Sequence, residues 1–206
     1  MSVARAKFLK GDRRRLEYQV WTKWLDSASK LANRFSKATD DDDPFAYNET
    51  ASVSILASAA HCAGFVALAE FSTDKAAAKG AKSQRRGRSD LWMQADGKSW
   101  AFEFKQFNPI GAASPSGRLQ KYMDMAKTCA DVILRKDADC TVAGLIWPLY
   151  WIGQSNLRDF EDRIARAEQR LGQFIEDECD YAWRIDGVAG APPTYLLFKL
   201  VNDYTQ

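Results

Sequence analysis

The sequence predicts an α/β fold, a central mixed β-sheet flanked by helices, on three observations. Apolar residues recur at helical spacing in four segments. Short apolar or alternating runs, bounded by turn residues, lie between those segments. An Asp96-Gly97 pair separates two β-prone runs, the strongest short-range hairpin signal in the chain.

Taken in order, Val20, Trp21, Trp24, Leu25, Ala28, Leu31, Ala32 and Phe35 repeat every three or four residues and predict an amphipathic helix over 12–38. Asp40, Asp41, Asp42, Asp43 and Pro44 end it. Those acids lack the glycine and terminal glutamate of a calcium loop and read as a solvated turn. Asn48 is an N-cap for a helix over 49–63, closed before Gly64. Residues 65–71 read as a strand and 72–88 as a flexible, lysine-rich connection. Strands over 89–95 and 98–107 follow, then a loop with Gly111, Pro115 and Gly117 and a helix over 118–135. Residues 141–152 read as a buried strand. The helix over 156–179 carries Leu157, Phe160, Ile164, Ala167, Leu171 and Phe174 at alternating three and four, a stripe that suits either internal packing or a homodimer. Strands over 181–186 and 194–201 close the chain.

At 206 residues, with 46% hydrophobic and 27% charged side chains, the composition is that of one globular domain and excludes disorder and coiled-coil rods. It divides into an N-terminal helical extension (1–47), a core (48–150) and a C-terminal helix with strands (151–206). The single histidine, His61, weakens mechanisms that need two imidazoles, and it reads as a packed or surface residue. Cys62, Cys129, Cys140 and Cys179 show no C-x-x-C spacing and read as buried free thiols. Trp21, Trp24, Trp147, Trp151 and Trp183 fall on apolar faces and read as core. The longest apolar run, 142–152, is too short to span a bilayer, and no apolar run follows the basic N-terminus as a signal peptide requires, so a cytoplasmic location is expected. The net charge is only +2, but residues 1–39 carry a local +7 and residues 74–88 a local +5. Segregation of this kind gives a one-sided field.

A two-residue turn at Asp96-Gly97 fixes a register in which Ala95 faces Lys98, Gln94 faces Ser99, and Asp90 falls opposite Glu103. Lys105 joins the face of Glu103, while Leu91, Met93, Trp100, Phe102 and Phe104 share the other, a core face. Like charges directly opposed across strands repel, so a divalent cation is expected between the two carboxylates. Carboxylate and carbonyl oxygens with water suit Mg²⁺, with Mn²⁺ as a substitute, and such an ion can polarise a phosphoryl oxygen. Lys105 is placed to orient or deprotonate a water and to hold a phosphate. Glu49, on the buried face of its helix with Val53, Leu56 and Ala60, is directed toward the same place. Glu70 is a less favoured alternative acid.

Asp90, then Glu103-x-Lys105, preceded by a helical Glu49, resembles the PD-(D/E)xK nuclease superfamily over about residues 48–150. Within it the run is similar to Holliday-junction-resolvase-like and small restriction-type enzymes. Ser89 stands where the motif has proline, and the basic stretch 72–88 is an insertion. The resemblance implies a restriction-endonuclease-like core acting on DNA, with RNA as an alternative. It makes Asp90, Glu103, the Phe104 carbonyl and Glu49 metal ligands, Lys105 the catalytic lysine and Glu49 an accessory acid. Lys82, Arg85, Arg86 and Arg88 are then candidate phosphate contacts, with Arg86 and Arg88 foremost, and Gln106 is a candidate substrate contact. A non-catalytic binding or assembly module, or a nuclease toxin, is the alternative.

Overall fold

The computed structural model describes residues 6–76, 84–106, 115–149, 157–187 and 192–205. Among the described residues the fold is α/β, with seven strands in one mixed sheet and four helices. In chain order these are β1 (Ala6–Lys10), α1 (Leu16–Ala38), a 3-10 turn (Pro44–Ala46), α2 (Glu49–Cys62), β2 (Val66–Ala76) and β3 (Gln84–Ala95). They continue with β4 (Lys98–Gln106), α3 (Pro115–Asp131), β5 (Cys140–Pro148), α4 (Leu157–Glu178), β6 (Tyr181–Ile185) and β7 (Thr194–Asp203). The strand order is β1-β6-β7-β5-β4-β3-β2. Among the described strands only β4 and β5 run parallel, with α3 as their crossover.

Period-two alternation explains the layers. Phe102, Phe104, Val142, Ile146, Leu196 and Phe198 face α1 and α2. Ala143, Leu145, Trp147, Tyr195 and Leu197 face α3 and α4. Trp21 of α1 sits amid the rings of Trp100, Phe102, Tyr181, Trp183 and Phe198, at centroid distances of 4.9–6.2 Å. The stripe of α4 packs inward through Leu171, Phe174 and Ile175, so its described half is occupied by the chain's own sheet. Trp151 lies outside the described residues. Among the described residues no helix is long and apolar enough to cross a membrane.

Several boundaries differ from the sequence reading for identifiable reasons. β1 was unforeseen because its lysines mask Phe8, which packs edge-on against Tyr18 and Trp183 only once β6 is beside it. The flanking segments are therefore built into the sheet, β1 at one edge and β7 against β5. α1 starts at Leu16 rather than 12, since Asp12 caps a turn by accepting from the Arg14 N–H at 3.0 Å. α3 begins at Pro115, where a proline suits a first turn, and stops at Asp131. Cys62 is exposed and Cys129 half-buried, whereas Cys140 and Cys179 are buried as expected.

The largest correction concerns 72–88. It is no loose connection: β2 and β3 form an antiparallel ribbon in one register from Val66–Gln94 out to Ala76–Gln84, interrupted only at Glu70. Its outer half is too polar to show a core face, and it is held from outside. The Ala76 N–H donates to the Val132 carbonyl at 2.8 Å, and Thr73 Oγ1 donates to Asp137 Oδ2 at 2.6 Å. Residues 77–83 lie outside the described residues.

Gly144 of β5 lies in register with Phe104, and a Cβ there would fall 2.4 Å from Phe104 Cδ1. Gly144→Ala should therefore overpack the central strands and cost about 1–3 kcal/mol in urea unfolding. An unchanged midpoint would refute this packing.

Candidate active site

The turn and its register form as the sequence predicts. Asp96 and Gly97 have φ of +48° and +80°, a type I′ geometry, and pairs run from Ala95–Lys98 to Leu91–Phe102. Leu91, Met93, Trp100, Phe102 and Phe104 are fully buried. Beyond Leu91–Phe102 the expected backbone pairing of Asp90 with Glu103 gives way to side chains. Ser89 Oγ donates to the Phe102 carbonyl at 2.9 Å, and the Phe104 N–H donates to Asp90 Oδ2 at 2.6 Å. β3 parts from β4 here, and the β2 ladder breaks at the same level, where Glu70 takes φ +54° between the pairs Ala69–Leu91 and Phe71–Ser89.

Glu49 reaches this fork from the first turn of α2, whose Asn48 cap accepts from the Ala51 N–H at 2.9 Å. Its carboxylate accepts from the Gln106 N–H at 2.9 Å and from Lys105 Nζ at 3.1 Å. The same ammonium donates to the Phe104 carbonyl at 2.5 Å. The Gln106 side chain donates to the Phe45 carbonyl and accepts from Ser52 Oγ. Both ends of that amide therefore tie β4 to α2 and the 3-10 turn, contacts that a substrate would have to replace.

Glu103 is 4% exposed and meets a partner from the basic stretch 72–88 that the sequence does not single out. Lys75 of β2 donates to Glu103 Oε1 at 2.6 Å, and both side chains are buried. The lysine stem passes Gly87 of β3, where a Cβ would lie 2.8 Å from Lys75 Cδ. The gap at Gly87 was visible in the sequence, but only the ribbon pairing gives it meaning.

The electrostatics follow from burial. Desolvation pushes Glu103 up to about 7, opposed by the Lys75 hydrogen bond and reinforced by the charge of Asp90. Asp90 is raised by burial and by Glu49 and Glu70, against the Phe104 N–H and Lys105. Burial pulls Lys105 down, but Glu49 and Asp90 outweigh it, so its ammonium is held above the ordinary value. The charged form suits the orienting role named for Lys105.

Glu49, Thr50, Val53, Ser54, Ala69, Glu70 and Asp90 line a cleft of about 40 Å³, whose lining does not include Glu103, Phe104 or Lys105. In kind, the carboxylate oxygens and the Phe104 carbonyl fit a hard cation. Among the described residues Asp90 has no ion-pair partner; it accepts from the Phe104 N–H and is favoured in its charged form by Lys105 at longer range. In arrangement, Lys75 and Lys105 already occupy Glu103 Oε1 and the Phe104 carbonyl. Among the described residues no group of three or more His, Cys, Asp or Glu side chains is arranged to hold a metal ion.

Arg86 and Arg88 are exposed on the ribbon, and Arg88 pairs with Glu70 at 3.2 Å. Lys82 and the side chain of Arg85 lie outside what is described. His61 is exposed and away from this site, and Asp43 caps the 3-10 turn through the Phe45 N–H. Compared with protein-family models, curated proteins and solved structures, the chain gives no significant match.

Because Glu103 is held above its ordinary 4.5, up to about 7, the folded chain keeps a proton that the unfolded chain releases between those values. Its contribution to stability therefore falls as pH rises across that window. Urea titrations should show the parent losing stability relative to Glu103→Gln from about pH 4.5 to about 7. A stability difference flat across that range would remove the assignment.

Proposed function

We propose that this chain is a metal-dependent nuclease with a restriction-endonuclease-like core, hydrolysing DNA phosphodiester bonds at Asp90, Glu103 and Lys105 with Glu49 as accessory acid. The observation that supports this reading is the convergence of those four side chains from β3, β4 and α2 on one fork of the sheet. Asp90, Glu103 and the Phe104 carbonyl are the groups that would hold Mg²⁺ or Mn²⁺. Such an ion supplies Lewis-acid stabilisation of charge on a phosphoryl oxygen. Lys105, kept charged by Glu49 and Asp90, holds a phosphate oxygen and orients the attacking water. Arg86 and Arg88, exposed on the ribbon beside Asp90, neutralise backbone phosphates without reading sequence.

One observation favours a second reading, a non-catalytic nucleic-acid-binding or assembly module. Lys75 neutralises Glu103 from within the chain, so the fold can hold that acid without an ion.

Cleavage of duplex, branched and single-stranded DNA and of RNA, each with Mg²⁺ or Mn²⁺, separates the two. The parent should cut DNA, and Asp90→Ala or Lys105→Ala should each lower the rate by at least about 100-fold with the fold retained by circular dichroism. Equal rates for Lys105→Ala and the parent would sink the catalytic reading, and binding without cleavage on every substrate would establish the module.

A further inference from the structure

We propose that Lys75 is the internal counter-cation of this centre: its ammonium holds Glu103 Oε1 and competes with a divalent ion for that carboxylate, so that an ion binding there displaces it. This rests on the metal-centre reading above. Lys75 Nζ lies 2.6 Å from Glu103 Oε1, a charge-assisted hydrogen bond between two buried side chains. A dication and an ammonium on one carboxylate repel each other in a poorly solvated site, so the ammonium weakens the carboxylate for an ion for as long as it stays there. Lys105 holds a different pair of groups, the Phe104 carbonyl and Glu49, so it does not substitute for Lys75 at Glu103.

The surroundings of Lys75 are built rather than incidental. Its stem runs through the space left by Gly87, which any other residue would fill. On its own strand it is fastened by the bridge to Ile133 and by the Ala76 N–H on the Val132 carbonyl at 2.8 Å. Two positions back, Thr73 is bound to Asp137, and Asp74 is paired with Lys136 at 2.6 Å. The ribbon is thus strapped to the turn after α3 on both sides of Lys75, which aims the ammonium across β3 at β4. The same strap makes Lys75 a positioning residue of the centre: it sets where Glu103 points, and its departure frees that carboxylate.

The test is an NMR titration of the full chain with Mg²⁺ alone in mildly alkaline buffer, comparing parent, Lys75→Met and the ligand control Asp90→Asn. Lys75→Met should bind Mg²⁺ at least about fivefold tighter than the parent, and Asp90→Asn should bind more weakly. A second measurement uses the parent only and does not depend on the variant folding. Acetylation of Lys75, followed by peptide mass spectrometry against the exposed Lys23, should accelerate at least about fivefold at saturating Mg²⁺. A role confined to stability would leave that rate unmoved. If the parent binds Mg²⁺ while Lys75 acetylation stays constant, or Lys75→Met binds no tighter, the inference falls and the metal-centre reading stands. If neither parent nor variant binds Mg²⁺, both fall together.

Discussion

Past the Leu91–Phe102 pair the two central strands part, and the backbone N–H of Phe104 loses the acceptor that a continuing ladder would give it. A buried N–H must be paired, and Asp90 supplies the oxygen at 2.6 Å. Ser89 Oγ adds a donor to the Phe102 carbonyl at the last pair of the ladder. Those two side chains let β3 swing away with β2 as a ribbon while β4 continues beside β5 alone. Everything at the candidate site, from the reach of Lys75 to the approach of Glu49, depends on the opening so made.

The opening concentrates charge where water is scarce. Burial raises both Asp90 and Glu103, and each acid adds to the cost of a neighbour. Two lysines offset it from opposite directions, Lys75 over β3 and Lys105 from β4 itself. A buried acid held by a buried lysine is weak evidence of stability, since desolvation consumes most of the attraction. It is stronger evidence of specificity, because removing either partner strands the other.

At the far end of β4 a second buried ionic group does purely structural work. Glu17 of α1 is 1% exposed and accepts from Lys98 Nζ at 2.8 Å and from Trp100 Nε1 at 3.3 Å. Lys98 and Arg15 also share Asp203 of β7. That network locks the hairpin turn against α1 and the last strand, so the register is held at the turn and the fork opens only past the Leu91–Phe102 pair. Gln106, tied to Phe45 and Ser52, fixes the other end of β4.

The sequence by itself determined whatever depends on neighbours a few residues apart. Turn chemistry at Asp96-Gly97 set the hairpin register, helical periodicity set α1, α2 and α4, and alternation set the apolar face from Leu91 to Phe104. It also brought Asp90, Glu103, Lys105 and Glu49 to one region, because a two-residue turn and a capped helix are local objects. The tertiary structure decided what lies across strands: the ribbon in place of a loose connection, β1 as a strand, the contacts of the Gln106 amide, and Lys75 on Glu103. None of these has a local signal. A polar strand becomes a strand only when another backbone answers its N–H and C=O groups, and a lysine becomes a buried partner only when a glycine on the adjacent strand leaves it a path.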